Sequence, residues 1–576
     1  MSWKEHGVFV KLQKSPTSQR VQVYLMESYR DVNGKPQNRI VERVGELGEL
    51  QAREPGILQR LRSEAEAVTS NQKRTRLVEV DLGRDRTGQD HQVCYGQFFV
   101  EGIWKALGMP ALLHRLAKET GTGIDVGRVA QMLVTGRMLS PASKLATWNT
   151  RDQWFDPFDC QLQDVYNTLT LLDSWSWRVQ AHVHRQVGKT MGRDVSLVFY
   201  DVTNYWFETD DEDGFRMVGA SKENRKDPIV AMGLLIDSAG IPIAYRLFRG
   251  NMHDAKTLIP VLDELRTRYG LGRIVVVADK GLNGKTNLAA LNGNHDGWIV
   301  SQKVRGRVAK DITNCVEDPT GWVGDEQSLL VKSYLRDRVL NGVTITEKVV
   351  ITWSRAHAAR DRAKREKLRT GVEQLLQHPG SYNSSNKYGR KRYIHETLVT
   401  PDGEIAGKHL SFDQDRWEAD EARDGFYAII TSETTMTDED IINHYKGLAR
   451  IEESFKVIKS DFEGRPVHVR TQSHINAHFL TCFLALVITR LIQHGTSWEI
   501  TASQTKQALT TATCTPLEHG LWTIDETTND YKTIETAWGV SLPNRYTPIE
   551  TIRQYKRAII NNTPRTLQTH NKQPSA

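Results

Sequence analysis

Between residues 196 and 304 the chain runs through five short, almost continuously apolar segments: SLVFYD (196–201), IVAMGLLID (229–237), IPIAYRLF (241–248), RIVVVAD (273–279) and WIVSQKV (298–304). Runs that do not alternate polar with apolar residues suit strands covered on both faces, the situation inside layered α/β proteins. Two helices fit between the later runs. One covers about residues 255–269 and closes at Gly270; the other is NGKTNLAALNG (283–293), with Asn283 as its candidate cap. These runs constrain the fold more than any other part of the chain.

Three strands, a helix, a strand, a helix and a strand is the order of a ribonuclease-H-like core, although pattern alone admits other α/β folds. The flanking regions differ in character. Residues 1–90 hold VFVKL, VQVYLMESY and NRIVERVGEL, separated by SPTSQ and NGKPQ, and predict a small β-rich module with a helix across 55–68. Residues 91–190 are helical in period. There VGRVAQMLVTGRML and SKLATWNTRDQWF flank Ser140-Pro141, as in a helix-turn-helix DNA reader or in any αα-hairpin. Residues 306–425 interrupt the core (191–305 and 426–500) with a β-rich insertion, signalled by hairpin turns at Asn341-Gly342 and Asp402-Gly403. The C-terminal region, 501–576, ends in a polar tail after about Thr563 that predicts disorder.

A net charge of +6, from 76 Lys and Arg against 70 Asp and Glu, permits a polyanionic partner without requiring one. The charge is uneven: residues 355–369 carry Arg355, Arg360, Arg362, Lys364, Arg365, Lys367 and Arg369 against Asp361 and Glu366. That stretch reads either as a solvated helix or as a phosphate-contacting face, with Arg362, Arg365 and Arg369 as its DNA-binding candidates. The five cysteines include no C-x-x-C pair, which argues against a zinc site or a disulfide framework. The apolar run FLTCFLALVIT, 479–489, is shorter than the ~20 residues that span a bilayer. It reads as a core helix, and a soluble, cytoplasmic protein with no membrane partner is expected.

Asp201 and Asp279 each end an apolar run. Catalytic groups of open α/β sheets gather at the carboxyl ends of strands. In a ribonuclease-H-like order the first and fourth strands are neighbours, which sets these carboxylates side by side. Like charges that close stay ionised only with a cation between them, and Mg2+ suits all-oxygen ligands. The plainer reading is that each Asp starts a loop or caps a turn. A third acid is available on a helix that begins at the cap Thr437-Asp438-Glu439-Asp440 and stops before Gly464-Arg465-Pro466. Its apolar stripe (Leu448, Ile451, Phe455, Ile458, Phe462) falls within an arc of ~80° at ~100° per residue. Glu452 borders the stripe, in line with Tyr445 and Lys459, and Glu453 points away.

Tyr445, Glu452 and Lys459 resemble the Y-x-x-R-x-x-x-E-x-x-x-x-x-x-K pattern of bacterial insertion-sequence transposases of the DDE class, in the group with a β-rich insertion before the Glu. YDVTNYWFE around Asp201, VADKGLNG around Asp279 and GNMHDAKTL (250–258) are similar to that family's blocks, and the acids stand 78 and 173 residues apart (201 to 279 to 452). The likeness covers residues 195–490 well and 1–190 more loosely. The Arg position of the pattern is Leu448 here, and the nearest Arg, Arg450, faces another way, which weakens an Arg-to-phosphate role at this helix.

The resemblance implies a transposase whose catalytic and metal-holding residues are Asp201, Asp279 and Glu452, using Mg2+ or Mn2+, two ions per site. It implies double-stranded DNA as partner, both transposon ends and target, with Tyr445 and Lys459 on the backbone and a homodimer in the DNA complex. Two alternatives share the sequence signals: a ribonuclease-H-like nuclease that cuts without strand transfer, and a non-catalytic DNA-binding protein descended from a transposase.

Overall fold

The computed structural model describes residues 8–14, 20–30, 36–74, 91–220, 226–304, 309–325, 327–383, 389–399, 405–517 and 520–569. The chain divides into two compact units: residues 1–90 with 516–521, and the remainder. In the first, β1 (Val8–Lys14), β2 (Val21–Arg30) and β3 (Pro36–Glu46) form an antiparallel sheet, followed by α1 (Leu47–Arg53) and α2 (Ile57–Arg74). Val23 and Leu25, two apart on β2, face inward. Ile57, Leu61 and Ala65, four apart on α2, cover them.

The second unit begins with β4 (Val93–Cys94) and five helices: α3 (Gln97–Ala106), α4 (Met109–Thr120), α5 (Val126–Leu139), α6 (Lys144–Asn149) and α7 (Leu162–Met191). The helix-turn-helix expectation fails here. Every residue of α5 from Val129 to Leu139 is buried, so the helix has no face left for a DNA groove, and α6 is only six residues long. The pair is a hairpin with α5 inside and Leu145 and Asn149 of α6 at the surface.

Next come β5 (Leu197–Trp206), β6 (Ile229–Asp237), β7 (Pro242–Arg249), α8 (Leu258–Tyr269), β8 (Val275–Ala278), α9 (Lys285–Gly293) and β9 (Gly297–Gln302). The five strands lie in the order β9-β8-β5-β6-β7, with β5, β8 and β9 parallel and β6 antiparallel to both β5 and β7. Both faces are covered. Val198, Tyr200 and Val202 pack with Leu262 of α8 and Leu288 of α9. Leu197, Phe199 and Tyr205 face the opposite layer. Asn283 does not cap α9; its amide donates to the Ser301 carbonyl at 3.0 Å, and Gly284 occupies the cap position.

Residues 306–425 contain α10 (Lys310–Glu317), β10 (Val323–Asp325), β11 (Leu329–Leu340), β12 (Val343–Trp353), α11 (Arg355–Gln377), β13 (Ile394–Val399), β14 (Ile405–Phe412) and α12 (Gln414–Glu421). This segment is not a module apart. Strand β15 (Phe426–Thr431) pairs with both β9 and β12, so β10, β11 and β12 extend one mixed sheet to nine strands. The β11–β12 turn has φ +48° at Asn341 and +85° at Gly342, the left-handed pair a two-residue hairpin needs. The Asp402-Gly403 turn lies outside the described residues.

The far layer holds α13 (Asp438–Lys446), α14 (Ala449–Lys456), a π-helical turn (Val457–Asp461) and α15 (Gln472–Gly495). The apolar run 479–489 is the middle of α15. At 24 residues, this one described helix is long and apolar enough to cross a membrane, but it is sheathed by protein along 94% of its most apolar window. His478, on the same helix, is buried against the Gly464 carbonyl.

The chain closes with α16 (Ala502–Thr510), β16 (Thr513–Pro516), β17 (Leu521–Ile524), α17 (Asn529–Trp538), β18 (Tyr546–Pro548) and α18 (Ile549–Thr569). The disorder predicted after Thr563 is corrected for the residues up to 569. Ile559, Thr563 and Leu567 form an i, i+4, i+8 inner stripe, and Trp538 Nε1 donates to the Thr563 hydroxyl at 3.0 Å. Leu567→Ala is accordingly expected to cost about 2–4 kcal/mol in chemical denaturation. An unchanged midpoint would detach the last helix from the core.

Candidate active site

The parallel ladder between β5 and β8 pairs Leu197 with Val275, Val198 with Val276 and Phe199 with Val277. Asp201 follows Phe199 by two residues, and Asp279 follows Val277 by two. The two carboxylates therefore leave adjacent strands, about 4.8 Å apart, at one level. Because the side-chain period is two, both point the way Phe199 and Val277 do, toward the layer of α14 and α15.

Neighbouring strands add polar groups at that level. Ala278 pairs with Val300 of β9, so Ser301 stands beside Asp279, and its hydroxyl donates to Asp279 Oδ1 at 3.0 Å. From β15, Tyr427 brings its hydroxyl within 2.5 Å of the Tyr445 hydroxyl. Burial pushes the Tyr427 phenol above its usual range, bonds from Ser301 and Tyr445 pull it down, and the Asp279 and Glu452 charges push it up again. Tyr427 therefore senses two of the three acids at once. The Tyr445 phenol is also raised, chiefly by burial and then by Tyr427. The imidazole of His357, at the start of α11, stacks on Tyr427 with ring centres 6.0 Å apart.

Glu452 is exposed on the first turn of α14, whose Ile451 and Phe455 anchor it in the core. The third segment of the pattern is not the single helix its periodicity predicts. Thr437 caps α13 through Asp440 N, but the chain bends at Gly447-Leu448 and opens into the π turn after Lys456. Gly447 permits the bend to lie against the sheet: a Cβ there would sit 2.4 Å from the Phe199 ring. Lys459, in the π turn, is drawn inward, its ammonium donating to Thr203 Oγ1 at 2.6 Å and lying 5.6 Å from the centre of the Tyr205 ring. Glu453 does not run free into solvent; it accepts from the buried Arg490 at 3.2 Å.

Asp201 and Asp279 thus share a level and a face, and Glu452 approaches from the covering helix. Among the described residues no three His, Cys, Asp or Glu side chains converge tightly enough to hold a metal ion. The donor set still suits a hard cation: it is all oxygen, and Glu452 is an exposed side chain on a helix.

The basic helix divides. Arg362 is exposed, and so is Arg369, which pairs with Glu373 at 3.5 Å. Arg365 is 4% exposed, bound to Asp424 and, at 2.9 Å, to Glu421, with its guanidinium 5.3 Å from the centre of the Trp417 ring. It ties α11 to α12 and has no face for a phosphate, which corrects its DNA-binding assignment. Ser301, Tyr427 and His357 escaped sequence reasoning. The strand register could have found Ser301, but nothing local announces that β15 inserts beside β9 and carries Tyr427 with it.

Residues 168–488 match the transposase DDE domain, and residues 10–77 match the N-terminal domain of the IS1634 family of transposases. The chain belongs to the DDE transposase family, in its bacterial insertion-sequence branch. Two of the solved structures that align with it are transposase complexes. One is the piggyBac transposase synaptic complex with hairpin DNA, at 8% identity, covering 84% of this chain and 82% of that one with a TM-score of 0.32. The other is the Mos1 transposase paired-end complex with the left transposon end, at 12% identity, covering 41% and 66% with a TM-score of 0.14. No curated protein matches the chain.

The division within α11 is testable by urea unfolding. Arg365→Ala removes the buried guanidinium that pairs with Asp424 and Glu421 and is expected to cost about 3–5 kcal/mol, whereas Arg362→Ala leaves the midpoint where it is. Equal stabilities would return Arg365 to the surface.

Proposed function

We propose that this transposase binds the terminal repeats of its element and catalyses DNA cleavage and strand transfer through Asp201, Asp279 and Glu452, set on a ribonuclease-H-like core. The observation that carries this reading is the β5–β8 register, from which Asp201, midway along β5, and Asp279, the residue after β8, come level on one face. Those acids would hold Mg2+ or Mn2+, two ions per site, and that group supplies activation of the attacking oxygen and stabilisation of the leaving one in an in-line displacement at phosphorus.

The chain's own residues do the rest. Ser301 fixes the rotamer of Asp279 by donating to one oxygen, which leaves the other oxygen to a ligand. The Tyr427–Tyr445 pair braces β15 against α13 and walls the acids on the insertion side. Lys459, resting on Thr203, lies within a side chain's reach of a scissile phosphate beside Asp201 and would hold it in register without reading sequence. Tyr445 closes the same wall and meets the backbone at its edge. Arg362 and Arg369 offer exposed charge for more distant phosphates. Displacement at phosphorus by water or a 3′-hydroxyl requires no covalent protein–DNA intermediate, so no serine or tyrosine nucleophile enters the scheme. Two transposon ends are brought together by a homodimer in the DNA complex, in the cytoplasm.

Purified protein is expected to cut and join DNA carrying its own terminal repeats only with Mg2+ or Mn2+. Asp201→Asn, Asp279→Asn and Glu452→Gln are each expected to lose cleavage by orders of magnitude while retaining end binding. Glu453→Gln stays within about tenfold of the parent, or ~1.4 kcal/mol, since Gln can still accept from Arg490. Cleavage in excess chelator would sink the reading. Cutting without joining would reduce it to a nuclease.

A further inference from the structure

A second polar site lies beyond the end of β5. The segment that leaves the π turn runs through Glu463, Arg465 and His468, and Val467 N reaches the Trp206 carbonyl at 3.4 Å, the last residue of the strand that carries Asp201. Between this segment, the α5–α6 junction and α15 lies a cavity of about 210 Å3, lined by Arg137, Lys144, Glu463, Arg465, His468 and His478 among others. Water occupies roughly 30 Å3 per molecule, so a phosphate group and some of its hydration fit.

Its charge is unbalanced toward the cationic. Arg137, 6% exposed, donates to the carbonyls of Phe462 (2.8 Å), Glu463 (3.3 Å) and Ala142 (2.7 Å), and among the described residues no carboxylate pairs with it. Lys144, 5% exposed, lines the same cavity, and its ammonium has no hydrogen bond or ion pair among the described residues. Burial first and Arg137 second push the Lys144 amine down to about 7. Glu463 is the single acid in the lining, against Arg137, Lys144 and Arg465. A buried ammonium held beside a guanidinium without a counterion is costly to the fold. An arriving anion with several acceptor oxygens would relieve it.

We infer that this cavity binds a phosphate group, and that its source is the DNA backbone running on from the catalytic carboxylates. The anion class stands on the cavity alone. The DNA source rests on the proposed transposase reading, because Lys459 and the cavity lie on one continuous segment, 457–469, beside β5.

The test uses the full chain, inorganic phosphate and a short duplex. Thermal unfolding is followed against phosphate at ionic strength matched with chloride, for the parent, Lys144→Met and Lys144→Arg. Phosphate is expected to raise the midpoint saturably in the parent and in Lys144→Arg but not in Lys144→Met, whose phosphate-free midpoint is already higher for want of a buried charge. In parallel, Lys144→Met is expected to flatten the slope of log K against log salt for the duplex by about 0.9, one phosphate contact. A phosphate response with an unchanged duplex slope would overturn the DNA source and leave a free-phosphate site. No phosphate response in any of the three proteins would overturn the cavity assignment itself. In both failures, metal-dependent cleavage of terminal repeats by the parent would leave the transposase reading intact.

Discussion

The parallel pairing of β5 with β8 is the contact on which the rest of the site depends. Val275, Val276, Val277 and Ala278 are all buried, as are Leu197, Val198, Phe199 and Tyr200 across the ladder. A slip by one residue in either strand would move its aspartate out of line with the other and to the opposite face. The register of this ladder therefore fixes the level of Asp201 and Asp279. Two like charges are held together by packing that has nothing to do with charge. The remaining groups are placed by reference to this pair: Ser301 by the next parallel strand, Tyr427 by β15, and Glu452 by a helix that approaches closely because residue 447 has no side chain.

What could be read in the sequence follows the same logic. Strands buried on both faces announce themselves as unbroken apolar runs, so β5 to β9 and the two aspartates that end β5's apolar run and β8 were legible. The cap at Thr437 was legible because a side chain bonding its own local backbone is a short-range event. The bend at Gly447 and the π turn were not, since periodicity near 3.6 survives a small break and no proline marks it. Arg365 illustrates a second limit. Its neighbours in sequence are exposed, and only the arrival of Glu421 and Asp424, more than fifty residues later, turns it into an internal tie. The α5–α6 pair looked like a DNA reader because an αα-hairpin carries the same local signals whether its faces end in solvent or in a core.

Cations in this protein therefore do three distinct things, which composition does not separate. Arg365 and Arg490 hold elements together through acids on neighbouring segments. Arg362 and Arg369 remain at the surface, where a polyanion can reach them. Lys144 and Arg137 are buried beside one another without a carboxylate between them. Only the last arrangement is unfavourable in isolation, and so it is the one that calls for a ligand.

The central claim is that packing of β5 on β8, with α14 laid over them, brings Asp201, Asp279 and Glu452 together to hold the catalytic cations. Electron paramagnetic resonance of Mn2+ titrated into the protein reads that site without requiring knowledge of the element's ends. The account predicts saturable binding that weakens with Asp201→Asn, with Asp279→Asn and with Glu452→Gln, and that is unmoved by Glu453→Gln. Saturable binding that survives all three of the first substitutions, or that is lost with Glu453→Gln alone, would contradict it.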